Sequence, residues 1–136
     1  MHLNNIFRVL LAVLAVAFSS SISAQEVPNQ KVTASLEQQE LESLTNEDIQ
    51  LLNFISESSY IVSYMPEKAN NLPDLKLKDP SVTHENINPL LLEIDTSEGH
   101  QRYRIGNSGY VALFYSDHRI DQLYQRAKIN ASPNAK

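Results

Sequence analysis

The sequence predicts a small α+β fold: two N-terminal helices, a long Pro-rich linker, a three-stranded antiparallel meander and a C-terminal helix. Three observations carry this expectation. Two strand-like runs flank a turn in Arg102 to Tyr115, which reads Arg-Tyr-Arg-Ile-Gly-Asn-Ser-Gly-Tyr-Val-Ala-Leu-Phe-Tyr. Helix-start signals precede apolar, helix-periodic stretches at Thr45 and again at Ser116 or Asp117. Between the two helical zones lie four of the six prolines, Pro66, Pro73, Pro80 and Pro89, a composition that suits an extended, stiff connection.

The hairpin is the organising element. Asn107-Ser108-Gly109 fits a three-residue turn, with Gly109 in the left-handed region that a residue without a Cβ enters freely. That register sets Ile105 opposite Val111 and Tyr103 opposite Leu113, so these residues and Tyr115 form the core face. Arg102, Arg104, Tyr110, Ala112 and Phe114 then share the other face. Leu90 to Asp95 alternates Leu90, Leu92 and Ile94 with polar positions and supplies the first strand of the meander.

Ala34 to Ser43, rich in Gln, Glu and Leu, predicts a short surface helix. The second helix starts at Asn46, where Thr45 and Asp48 form a capping box and acidic side chains meet the positive end of the helix dipole. Its apolar positions, from Ile49 through Leu52 and Ile55 to Val62 and Met65, predict a core helix running to about Tyr64 and stopped by Pro66. A break near Ser58, followed by a strand over Tyr60–Tyr64, is the alternative that the β-rich composition there allows. The last helix opens near Asp117, with Ile120, Leu123, Tyr124 and Ala127 inward.

Residues 1–24 read as a signal peptide: Arg8 precedes the ten apolar residues Val9 to Phe18, and small residues follow to Ala24. The expected organisation is signal peptide 1–24, disordered leader 25–33, a single α+β domain 34–129 and a disordered tail 130–136. The apolar run is shorter than a bilayer-spanning helix of about 20 residues, so no stable membrane anchor is expected after cleavage. Losing Arg8 takes the net charge from −5 to −6. An acidic chain without a basic stripe does not suit nucleic acid, whose phosphates must be neutralised. Cysteine is absent, so stability must come from a single core or from association with a partner.

No convergent catalytic set is present, and no catalytic, metal or cofactor residue is expected. Asp117-His118-Arg119-Ile120-Asp121 is the densest ionisable cluster, but a solvated first helical turn accounts for it. Ser108 belongs to a turn, and Gly106-Asn107-Ser108-Gly109 lacks the nucleophile-elbow spacing. The candidate binding residues are Arg102, Arg104, Tyr110 and Phe114, which combine planar cations with aromatic surface. The expectation is a periplasmic or secreted, non-enzymatic accessory or binding protein of the cell envelope with a protein partner, in a secretion, pilus or surface assembly. An inhibitor or immunity protein that blocks a hydrolase, and a small His/Asp-assisted hydrolase, are the alternatives.

Overall fold

A computed structural model describes residues 26–131; the expected signal peptide and residues 132–136 of the tail lie outside them. The described chain is an α+β fold of five helices and one three-stranded antiparallel sheet. In order, the elements are α1 (Gln30–Ser35), α2 (Gln38–Glu42), α3 (Asn46–Ser58), β1 (Tyr60–Tyr64), α4 (Pro66–Ala69), β2 (Gln101–Arg104), β3 (Tyr110–Phe114) and α5 (Asp117–Ala131). A 3-10 turn at Leu75–Leu77 interrupts the linker.

Helix α1 replaces four residues of the expected disordered leader. The Asn29 side chain caps it by accepting from the Val32 N–H at 2.9 Å, and Asn29 is itself tied to α3. Its N–H donates to Asn53 Oδ1 at 2.8 Å, and its Nδ2 donates to Ser56 Oγ at 2.7 Å. Val32 is then fully buried. The single helix expected over Ala34 to Ser43 is split because Leu36 and Glu37 take extended backbone angles, which turns Leu36 into the core.

Helix α3 begins as its capping box dictates. Thr45 Oγ1 accepts from the Asp48 N–H at 3.1 Å, and Asp48 Oδ2 accepts from the Thr45 N–H at 2.9 Å. It does not continue to Tyr64. The helix ends at Ser58, and Tyr60–Tyr64 becomes β1, paired antiparallel with β3 from Tyr60↔Phe114 to Tyr64↔Tyr110. As a strand, this run can send Tyr60 and Val62 to one side and Ile61 to the other, which continued helix would not do.

The sheet order is β1-β3-β2, so the expected meander is corrected: its third strand comes from Tyr60–Tyr64, and Leu90 to Asp95 pairs with no strand among the described residues. The alternation read there is nonetheless real. Leu90, Leu92 and Ile94 are buried, and Leu91 is half-exposed. The backbone bends through turns instead, with Leu91 N–H donating to Asn88 O and Ile94 N–H to Leu92 O. This lets Leu90 enter one core and Leu92 and Ile94 another.

Those two cores divide the molecule. Val32, Leu36, Leu51, Leu52, Ile55, Leu90, Ile120 and Tyr124 join α1, α3 and α5. The second joins Leu75, Val82, Ile87, Leu92 and Ile94 of the linker and its continuation to Ile105, Ala112 and Phe114 of the hairpin. The sheet's core face is therefore covered by the proline-rich connection. Ser116 caps α5, its Oγ accepting from the Arg119 N–H at 3.2 Å. The helix runs to Ala131, so Asn130 and Ala131 are helical where a frayed tail was expected. Ile120 and Tyr124 are its buried positions, while Ala127 faces solvent.

Candidate functional site

The hairpin register decides where the candidate residues stand. Arg104 pairs with Val111, Tyr103 with Ala112, Arg102 with Leu113 and Gln101 with Phe114. Ile105 N–H donates to Tyr110 O at 3.1 Å, so the connection is the four residues Gly106 to Gly109. Both flanking glycines have positive φ, +55° and +84°, and Ser108 Oγ donates to Ile105 O at 2.6 Å. The three-residue turn expected at Asn107 to Gly109 is thus corrected, and the parity of the hairpin with it. Tyr103, Ile105, Tyr110, Ala112 and Phe114 share the core face; Arg102, Arg104, Val111 and Leu113 share the other.

The four predicted binding residues are consequently split between the two faces. Phe114 is buried, with its ring near those of Tyr60 (6.0 Å between centroids) and Tyr103 (6.1 Å). Tyr110 lies on the same side, stacked on His84 at 3.9 Å with the rings 3° from parallel, and meets Tyr64 edge-on. Arg102 and Arg104 lie across the sheet.

Arg104 is a clamp between hairpin and linker. Its Nε donates to Leu72 O at 3.1 Å, its Nη1 donates to Gly106 O at 2.9 Å, and Nη1 stands 3.4 Å from Asp74 Oδ2. The other carboxylate oxygen of Asp74 accepts from the N–H groups of Gly106 and Lys76. Burial pushes the Asp74 carboxyl up, but those two N–H groups and the charges of Arg104 and Lys76 outweigh it and hold the group below the usual aspartate value. An arginine facing apolar residues is costly without a partner, and groups some thirty residues upstream supply one here.

Arg102 differs. It is exposed, and among the described residues it makes no ion pair or hydrogen bond. In the row that crosses all three strands, Arg102 neighbours Leu113, which neighbours Ile61. Ile61 is 48% exposed. The chain crosses the hairpin end of this face as α4, where Ala69 is buried, and leaves the Arg102–Leu113–Ile61 row open. Sequence reading missed Ile61 and Leu113 because helix was assigned to the first and the core to the second.

The outer edge of β1 is open as well. Tyr115 N–H donates to Ser59 O and Met65 N–H to Gly109 O, each at 2.9 Å. Hydrogen-bonded pairs alternate along an antiparallel ladder, so Ile61 and Ser63 bond β3 while Tyr60, Val62 and Tyr64 turn their N–H and C=O groups outward. Among the described residues no strand lies on that side.

A cleft of about 320 Å³ lies beside the hairpin turn, between Lys76, Thr83 to Glu85, Ile105, Asn107 and Ser108. His84 Nε2 stands 3.4 Å from Glu85 Oε1 there. Lys76 Nζ approaches Pro80 O at 3.5 Å. The Asp117 to Asp121 cluster forms no His–Asp pair: His118 Nε2 contacts Gln122, Asp121 contacts Gln125, and Asp117 Oδ1 accepts from Thr96 Oγ1 at 2.8 Å. Burial raises the Asp117 carboxyl, with the Thr96 hydrogen bond opposing and the Asp95 charge assisting. His100 Nδ1 accepts from the Ser116 N–H at 2.8 Å, which ties the preceding loop to the start of α5. Among the described residues no three His, Asp or Glu side chains converge as a metal site, and no helix is long and apolar enough to cross a membrane. No protein-family model, curated protein or solved structure matches this chain.

Proposed function

We propose that this chain is an exported, non-enzymatic binding protein of the cell envelope, periplasmic or secreted, that holds a protein partner on the open face of its sheet. The observation that carries the reading is the Arg102–Leu113–Ile61 row. It sets exposed apolar surface beside a guanidinium that no acidic side chain among the described residues neutralises. Such a row suits a partner that offers an apolar side chain flanked by a carboxylate. The sheet beneath is held from behind by the second core and at its edge by the Arg104 clamp, so the surface is pre-formed and binding costs little ordering. Export rests on the charged, apolar and small-residue sequence of residues 1–24, and the acidic balance disfavours nucleic acid.

Capture from envelope extract, followed by titration of the captured protein with wild type and with Arg102→Glu and Ile61→Asp, tests this. Both substitutions lie at exposed positions and should leave the fold intact while weakening the complex at least about tenfold, or about 1.4 kcal/mol. A stoichiometric partner that binds both variants as tightly as wild type would remove the face from consideration. If the partner is a hydrolase whose activity the chain suppresses, the complex is inhibitory; substrate turnover by the chain alone would overturn the non-enzymatic reading.

A further inference from the structure

We infer that the outer edge of β1 is a self-association site, where β1 of a second copy pairs antiparallel across a two-fold axis at Val62. The outward-facing backbone groups belong to Tyr60, Val62 and Tyr64, an odd number centred on Val62. Placing Val62 opposite Val62 of the second copy sets Tyr60 opposite its Tyr64, and in that one register every outward N–H meets an outward C=O. A two-fold interface requires this self-complementarity, because each patch must be its own partner.

The side chains agree with the pairing. On the core-side face, Tyr60 meets Tyr64 and Val62 meets Val62, cross-strand pairs of a favourable kind. Tyr64, 64% exposed, thereby gains a neighbour on that face, and on the open face Ile61, 48% exposed, meets Ser63. Charge decides against like-charge repulsion at the seam: between Ser58 and Pro66 there is no charged residue, although the chain carries a net −5. Edge strands that stay single are usually guarded by a lysine, a proline or a bulge within the strand; Tyr60–Tyr64 has none of these.

The area sets the strength. Five residues span about 17 Å of strand, and their pairing, with the flanking Met65, covers far less than the ~800 Å² per partner of a standard stable interface. The dimer is therefore weak, with a dissociation constant of ~1 μM or above, and exists where the protein is concentrated. Its six-stranded sheet, β2-β3-β1-β1-β3-β2, joins the open faces of the two copies and puts an Arg102 at each end. This goes beyond the heterologous binding proposed above and can fail without it.

Sedimentation of the purified protein from about 1 μM to 1 mM, with amide exchange measured over the same range, tests the inference. The expected result is a monomer–dimer equilibrium. The Val62 and Tyr64 amides should become protected as concentration rises, while those of Ile61 and Ser63 stay protected throughout. Val62→Pro removes an outward donor and no ladder bond, and should raise the dissociation constant at least about tenfold. Three results would each overturn the site: a monomer up to 1 mM, outward amides whose exchange ignores concentration, or a dimer unchanged by Val62→Pro in a folded variant. The exchange measurement stands alone if that variant does not fold. Loss of dimerisation with the Arg102 and Ile61 effects on the partner intact would refute only this inference.

Discussion

Replacing Arg104 with alanine should cost more stability than replacing any other half-exposed residue of the hairpin. The guanidinium donates at 3.1 Å to Leu72 O and at 2.9 Å to Gly106 O, beside the Asp74 carboxylate at 3.4 Å. Hydrogen bonds from charged donors contribute about 1.5–3 kcal/mol each when shielded from water. The Arg104 and Asp74 side chains remain 31% and 18% exposed, so we take about 1 kcal/mol for each bond and about 0.5 for the ion pair. Arg104→Ala should therefore lose about 2–3 kcal/mol, with Leu113→Ala nearer 1 because the open face already wets that side chain. Arg104→Lys separates fork from charge: it keeps the cation near Asp74 but cannot reach both carbonyls, and should recover less than half of the loss. Urea denaturation of the three variants, analysed with a common slope, measures these differences. If Arg104→Ala stayed within about 0.5 kcal/mol of wild type, or Leu113→Ala exceeded it, the pairing of Arg104 with Val111 would be refuted.

Ala112→Asp should abolish folding, since a carboxylate would replace a fully buried methyl between Val62 and Tyr103, whereas Leu113→Asp should leave a folded protein by circular dichroism. Gly109→Ala should destabilise by at least ~1 kcal/mol in thermal unfolding, because φ is +84° and a Cβ would lie 2.7 Å from Tyr64 Cε1. Asp74 has a lowered pKa in the folded state, so its contribution is complete above the unfolded value near 3.8 and is lost as pH falls through the folded value. Asp74→Asn should thus narrow the stability difference between neutral and strongly acidic solution, as measured by urea midpoints at each pH.

Local chemistry determined much of the architecture without tertiary help. Thr45 and Asp48 placed the start of α3, Ser116 or Asp117 the start of α5, and Asn107-Ser108-Gly109 the hairpin, because caps and turns are satisfied within a few residues of themselves. Alternation also identified Leu90, Leu92 and Ile94 as inward, though burial alternates equally well along a bent segment as along a strand. Choices that depend on distant partners were settled only by the fold. Tyr60–Tyr64 is a strand because β3 stands beside it, and α1 exists because Asn29 finds Asn53 and Ser56. The hairpin register shows the limit most plainly. Judged from the hairpin alone, an arginine opposite Val111 is a buried charge without a partner, so the sequence favours the other parity. Leu72 and Asp74, brought across by the linker, supply that partner and reverse the balance. The reversal exchanged the faces of the hairpin, separating Arg102 from Tyr110 and Phe114 and leaving it beside Leu113 and Ile61 on the open side.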